Sequence, residues 1–271
     1  MTKLESTLDN LKQQGRKALN IYITAGAPDF NTSRRAILEV INAGADIVEI
    51  GIPFSDPLAD GPVIQSAAIA ALNHSMSPYR VISLIKDLRR VTNAPLIGMG
   101  YINSLMSYGY KYGNDYNGFE RFVTEAKIAG LDGLIIADVP HEESEYMKSI
   151  CQRKRVHLID FITPLTSPER MQDICANSSG FIYCVSSLGV TGVKNLDYSQ
   201  INEVVSTVKG ITNTPVMVGF GIGSPEAAVA AAESADGVIV GSAVVKRLMA
   251  GDFNEAIELV KSIRTALNKA Y

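Results

Sequence analysis

The sequence predicts an α/β fold: an eight-stranded parallel (β/α)₈ barrel of the TIM type with one extra N-terminal helix. Three observations carry that expectation. Short runs rich in Val, Ile and Leu alternate with longer amphipathic segments, the rhythm of βα units around a parallel sheet. About eight such runs occur and none is left over, which favours closure over an open doubly wound sheet. The runs are also almost continuously apolar, as strands covered on both faces must be.

The first twenty residues, MTKLESTLDNLKQQGRKALN, alternate charges with Leu at helical spacing and supply the extra helix. They hold no apolar run long enough for a secretion signal. The strand runs follow in order: LNIYIT from Leu19, DIVEIG from Asp46, PLIGMG from Pro95, GLIIAD from Gly133, VHLIDFIT from Val156, GFIYCV from Gly180, PVMVGF from Pro215 and GVIVGS from Gly237. Each leads into a polar or glycine-bearing loop and then a helix-like segment. Caps mark several helix starts: Asn31 to Ser33 before RRAILEVINAG, Ser167-Pro168-Glu169 before RMQDICA, and Ser224-Pro225-Glu226 before AAVAAAE. No linker or low-complexity tract interrupts the pattern, so residues 1–271 read as a single domain.

A chain of 271 residues that is 46% hydrophobic can bury a sizeable core, and barrels of roughly 250 residues commonly form one domain. Its 25 basic and 28 acidic residues interleave to a net charge of -3, leaving no basic patch for nucleic acid. No stretch approaches the roughly 20 apolar residues of a membrane span. Cys151, Cys175 and Cys184 form no C-x-x-C pair and read as reduced thiols of a cytoplasmic protein. His74, His141 and His157 lie in different units without an H-E-x-x-H, so no metal site is expected, and His141 reads as a helix-start residue.

In a barrel, reactive groups belong at the C-terminal ends of strands and in the loops that follow. Glu49 is the least expected residue of its run: strand alternation points Ile47, Glu49 and Gly51 one way and Val48 and Ile50 the other. A buried acid in a salt bridge is the structural alternative, yet few Lys or Arg stand within the strands to pair with it. Burial raises a carboxyl pKa and readies it to take and return protons. The next loop, GIPFSDPLADGP, adds Asp56 and Asp60. Asp60 alone is an ordinary turn acid, but with Glu49 it gives one βα unit two carboxylates at the barrel mouth. Asp138, ending GLIIAD, reads as a loop anchor or substrate-positioning group.

The second half carries glycines instead. Gly189-Val190-Thr191-Gly192 follows the sixth run, Gly219-Phe220-Gly221-Ile222-Gly223-Ser224 the seventh and Gly241-Ser242-Ala243 the eighth. Glycines beside helix N-termini let backbone N–H groups approach a phosphate, and barrels often bind one there. Three unrelated tight turns are the alternative. The Gly219 run is no dinucleotide fingerprint, because Ser224 occupies its final position.

The strings YITAGAPD from Tyr22, VEIGIPFSDPLADGPVIQ from Val48, GLIIADVPHEES from Gly133, GVTG from Gly189, VGFGIGSPE from Val218 and GVIVGSAVVK from Gly237 resemble the tryptophan synthase alpha subunit family along nearly the whole chain. The resemblance implies retro-aldol cleavage of indole-3-glycerol phosphate to indole and glyceraldehyde 3-phosphate in tryptophan biosynthesis. It makes Glu49 and Asp60 the catalytic carboxylates, Glu49 as acid/base and Asp60 as acceptor of the indole N–H. Tyr22, Ile64, Tyr101, Ala137 and Tyr183 then line the substrate, and Gly192, Gly221, Gly241 and Ser242 hold its phosphate. Thr191 closes over the substrate and helps orient Asp60. The resemblance further implies no cofactor in this chain, a pyridoxal-phosphate beta subunit as partner in an alpha2beta2 complex, and a contact loop around Asp56.

Three features depart from the family pattern: Ala27 where AGDP is common, Ser187 where Arg is common, and a longer segment from Ser104 to Gly118. Other functions remain open from the residues alone. A phosphosugar isomerase or aldolase would share the glycine turns but would usually show a strand-end Lys or catalytic His. A free-standing lyase, or a subunit kept only to activate beta, would share the family motifs.

Overall fold

The computed structural model describes residues 1–109, 117–185 and 198–271. Its parallel strands are β1 (Ala18–Thr24), β2 (Ile47–Gly51), β3 (Leu96–Gly100), β4 (Gly133–Ile136), β5 (His157–Leu158), β6 (Asp160–Ile162), β7 (Ile182–Val185), β8 (Val216–Gly219) and β9 (Gly237–Val240). Between and around them run α1 (Lys3–Gln13), α2 (Phe30–Asn42), α3 (Pro62–Asn73), α4 (Pro78–Arg89), α5 (Ile102–Met106) and α6 (Gly118–Ala129). The second half adds α7 (Glu145–Lys154), α8 (Pro168–Asn177), α9 (Tyr198–Ile211), α10 (Pro225–Ala232), α11 (Ser242–Ala250) and α12 (Phe253–Ala270).

The strands are ordered β5-β4-β3-β2-β1-β9-β8-β7-β6, so β1 pairs with both β2 and the last strand, as a TIM barrel requires. The eight expected runs become nine segments because VHLIDFIT divides at Ile159. Before that residue the strand pairs with β4, after it with β7, and the Ile159 N–H still donates to Leu134 O at 2.9 Å. One continuous run therefore changes partner at a point where the barrel turns its corner.

Alternation sorts the side chains as the sequence implies. Ile47, Ile97, Ile135, Ile159, Met217 and Ile239 pack together inside the barrel, while Val48 and Ile50 join the layer under the helices. The extra helix α1 closes the bottom by burying Leu4, Leu8 and Leu11 against that interior set. It is held by a capping box between Thr2 and Glu5, and Thr2 Oγ1 reaches His157 Nε2 at 2.8 Å. Ser167 and Ser224 cap α8 and α10 as expected, accepting from Arg170 N at 3.3 Å and Ala227 N at 3.2 Å. The cap of α2 falls earlier than Asn31: Asp29 accepts from Thr32 N–H, because its carboxylate takes both that N–H and the Thr32 hydroxyl.

Three acids fasten strand starts at this lower end. Asp46, Asp132 and Asp236 each accept the N–H of a neighbouring strand, from Leu19, Leu96 and Val216, at 2.9 to 3.0 Å. Each also meets a cation: Arg264 at 3.0 Å, Arg89 at 2.7 Å and Lys209 at 2.7 Å. Acids at the bottom are thus neutralised in place, leaving the upper end as the place to look for acids that are not. No described helix is long and apolar enough to cross a membrane.

Candidate active site

A cavity of about 580 Å³ opens at the C-terminal ends of the strands, and Glu49, Asp60, Gly221, Gly241 and Ser242 all line it. Glu49 is only 1% exposed, held by β2 with its side chain turned inward. Its one hydrogen-bond donor among the described residues is Asn20 Nδ2, 3.2 Å from Oε2. Burial, moderated by that bond and reinforced by the charge of Asp60, pushes its pKa up to about 8. A carboxyl so placed is protonated at neutral pH yet near enough to its midpoint to give and regain a proton.

Asp60 is 7% exposed and stands in the turn before α3. Its main chain is pinned twice, by its own N–H to Pro57 O at 3.0 Å and by Gln65 Nε2 on its carbonyl at 2.8 Å. Tyr101 Oη donates to its Oδ2 at 2.9 Å and accepts the Ala59 N–H at 3.1 Å. Phe54 stacks on the Tyr101 ring at 5.2 Å and fixes that hydroxyl. Burial lifts the Asp60 pKa to about 6, the Tyr101 bond restraining the rise. Two carboxyls in one cavity therefore differ in protonation at pH 7: Glu49 is an acid, Asp60 an anion.

The expected lining residues are sorted by the fold. Tyr22, Ile64, Ala137 and Tyr183 lie on the cavity wall. Tyr101, expected there too, spends its hydroxyl on two residues of that wall, Asp60 and Ala59. Tyr22 and Tyr183 need room that two glycines provide. A Cβ on Gly51 would lie 2.0 Å from the Tyr22 hydroxyl, and one on Gly219 2.2 Å from that of Tyr183. The wall also includes Met99, Phe161 and Phe220, which the sequence reading missed. Phe161 and Phe220 flank Tyr183 at centroid distances of 5.2 and 6.1 Å, an aromatic row suited to a flat apolar ring.

At the opposite rim the chain leaves β8 through Phe220 and Gly221, both with positive φ, at 76° and 70°. Gly241 caps α11 without a side chain, so the first-turn N–H groups of Ser242 and Ala243 have no intrahelical acceptor. That is an anion seat with the helix dipole behind it. Thr191 and Gly192 lie outside the described residues. Asp138 takes its anchoring role, accepting the Ile102 N–H at 2.9 Å. Asp56 is exposed on the outer rim, next to Leu58, which is 87% exposed.

His141 opens a short 3-10 turn, as its place after Pro140 suggested, but also does more. Its Nδ1 lies 2.9 Å from Asp160 Oδ1, which Lys148 Nζ approaches at 2.8 Å. Asp160 is a second buried strand acid, and unlike Glu49 it has a cation.

Comparison with known proteins finds relatives along nearly the whole chain. The family model described as "Tryptophan synthase alpha chain" matches residues 8–270. The chain is 39% identical over 270 residues to the tryptophan synthase alpha chain of a Thermoanaerobacter strain, covering 99% of both. It is 42% identical over 243 residues to that of Desulfatibacillum aliphaticivorans, covering 90% of this chain and 88% of the other. The solved tryptophan synthase subunit alpha of Legionella pneumophila superposes with a TM-score of 0.88 at 35% identity, covering 99% of each chain. A chain of Mycobacterium tuberculosis tryptophan synthase does so with a TM-score of 0.88 at 30% identity, covering 98% of each.

Proposed function

The chain belongs to the tryptophan synthase alpha chain family, a lyase of tryptophan biosynthesis, and from that premise we propose that its cavity cleaves indole-3-glycerol phosphate with Glu49 and Asp60 as the working carboxylates. The observation that carries this reading is the shared cavity: a protonated Glu49, an ionised Asp60 and the open N-terminus of α11 border one space.

The chemistry follows from those charge states. Glu49 gives its proton to indole C3, placing positive charge on the ring. The bond from C3 to the hydroxyl-bearing glycerol carbon then breaks, and its electron pair returns to the ring. The hydroxyl proton passes to the Glu49 carboxylate as the aldehyde forms, so Glu49 ends as it began. Asp60 accepts a hydrogen bond from indole N1–H and offsets the positive charge that grows there. The ring lies along Tyr22, Ile64, Ala137, Phe161 and Tyr183, while Gly221, Gly241 and Ser242 take the phosphate. No cofactor enters, since the ring itself is the electron sink.

In keeping with the family, the partner is a beta subunit, joined in an alpha2beta2 complex. The pyridoxal phosphate resides on beta, and the exposed rim around Asp56 and Leu58 provides the contact. The free thiols Cys151, Cys175 and Cys184 suit a cytoplasmic enzyme, and residues 1–271 act as one domain. The test is indole release from indole-3-glycerol phosphate by this chain, alone and with beta. Release by the chain, accelerated by beta, is the expected result. No release under either condition would leave a purely activating subunit, and release that beta does not change would leave a free-standing lyase.

A further inference from the structure

Asn20 lies wholly buried in the middle of β1, on the inward face it shares with Ala18 and Tyr22. Its partners across the ladder are apolar, Ile47 on β2 and Ile239 on β9. Packing alone calls for Val or Leu here. A carboxamide in such a place loses its hydration and must recover it through hydrogen bonds. It recovers only half: Nδ2 donates to Glu49 Oε2 at 3.2 Å, and Oδ1 has no hydrogen-bond partner among the described residues.

An amide has one donor end and one acceptor end of nearly the same shape, and its terminal torsion is soft. A carboxyl that cycles its proton alternately needs each. We propose that Asn20 is a positioning residue that follows the proton on Glu49, donating through Nδ2 to the carboxylate and, after a half-turn of the amide, accepting the carboxyl O–H through Oδ1. The turn itself makes and breaks no covalent bond, and the only protons transferred are those that Glu49 exchanges with the substrate. This inference rests on the reading of Glu49 as the proton carrier.

The groups facing Glu49 leave the task to Asn20. Asp60 from the following loop is an anion and opposes the carboxylate. Tyr22 on β1 and Tyr183 on β7 are buried hydroxyls that burial pushes well above their ordinary pKa, so they stay neutral. Among the described residues no cation influences Glu49, and the Asn20 bond alone favours its ionised form. Without it Glu49 would be a weaker acid, slower to release its proton to C3.

The test compares pH profiles of indole release for the wild type, Asn20→Val, Asn20→Leu and Glu49→Gln. Loss of the donor should move the alkaline limb of kcat upward by roughly one pH unit in Asn20→Val. kcat at pH 7 should fall about tenfold while KM stays within about twofold, because Asn20 does not line the cavity. Asn20→Leu keeps the size and branching, so it serves where Val disturbs folding. It lacks the donor and cannot ionise, and its limb must also move up. A folded variant whose limb stays at the wild-type pH overturns the role of Asn20 while an inactive Glu49→Gln leaves the catalytic reading intact. Turnover persisting in Glu49→Gln overturns both.

Discussion

Replacing Glu49 by Gln has a consequence for stability that needs no substrate. The unfolded carboxyl titrates at its ordinary value of 4.5, the folded one at about 8. A raised folded pKa leaves stability whole below the unfolded value and removes it as pH climbs toward the folded value. At pH 7, about 2.5 above the unfolded midpoint, keeping Glu49 buried and protonated costs about 3 kcal/mol. Gln cannot ionise, and its amide can satisfy both ends of Asn20. Urea unfolding of both proteins at pH 4, 7 and 8 should therefore show near-equal stability at pH 4. A gap of about 3 kcal/mol in favour of Glu49→Gln should open by pH 7 and widen toward pH 8. A difference that stays constant with pH would mean that Glu49 titrates normally, and the burial argument would fail.

Other perturbations read the remaining parts of the site. Tyr101→Phe removes the donor that restrains the Asp60 pKa, so the acid limb of activity, expected near 6, should move up by about one unit; an unmoved limb would detach Tyr101 from Asp60. Gly219→Ala drives a methyl to 2.2 Å from the Tyr183 hydroxyl and should destabilise by about 1–3 kcal/mol, with loss of turnover. Unchanged thermal stability and turnover would show that Tyr183 has room to move. Leu58→Asp places a charge on the exposed rim and should weaken activation by beta in a titration while leaving unassisted turnover near wild type; undiminished activation would move the contact elsewhere.

Much of this was legible in the residues. A carboxylate within an apolar run announces itself, because burial makes Glu49 costly without a reason, and period-two alternation gave its direction. Serine before proline gave the caps of α8 and α10. The same alternation applied to LNIYIT would have exposed Asn20, a polar side chain on the inward face, and applied to VHLIDFIT would have raised Asp160. What separates Asp160 from Glu49 is a lysine on a helix and a histidine 19 residues away, a proximity only the fold creates. The bond from Tyr101 to Asp60 was hidden for a related reason. Sequence puts Tyr101 at a strand end but does not say whether its hydroxyl meets solvent or the acid of the neighbouring loop. Met99, Phe161 and Phe220 were invisible because an inward apolar residue reads alike whether it faces packed core or open cavity.

The central claim is that Glu49 moves the proton in a cavity whose far rim holds the phosphate. It is tested most directly by measuring, on Glu49→Gln at pH 7, both indole release and the affinity for an unreactive indolyl-alkyl phosphate. The account predicts affinity within a few-fold of wild type and cleavage reduced by at least about 10³-fold, the scale of a lost general acid/base. Cleavage near the wild-type rate, or binding lost in parallel with cleavage, would contradict it.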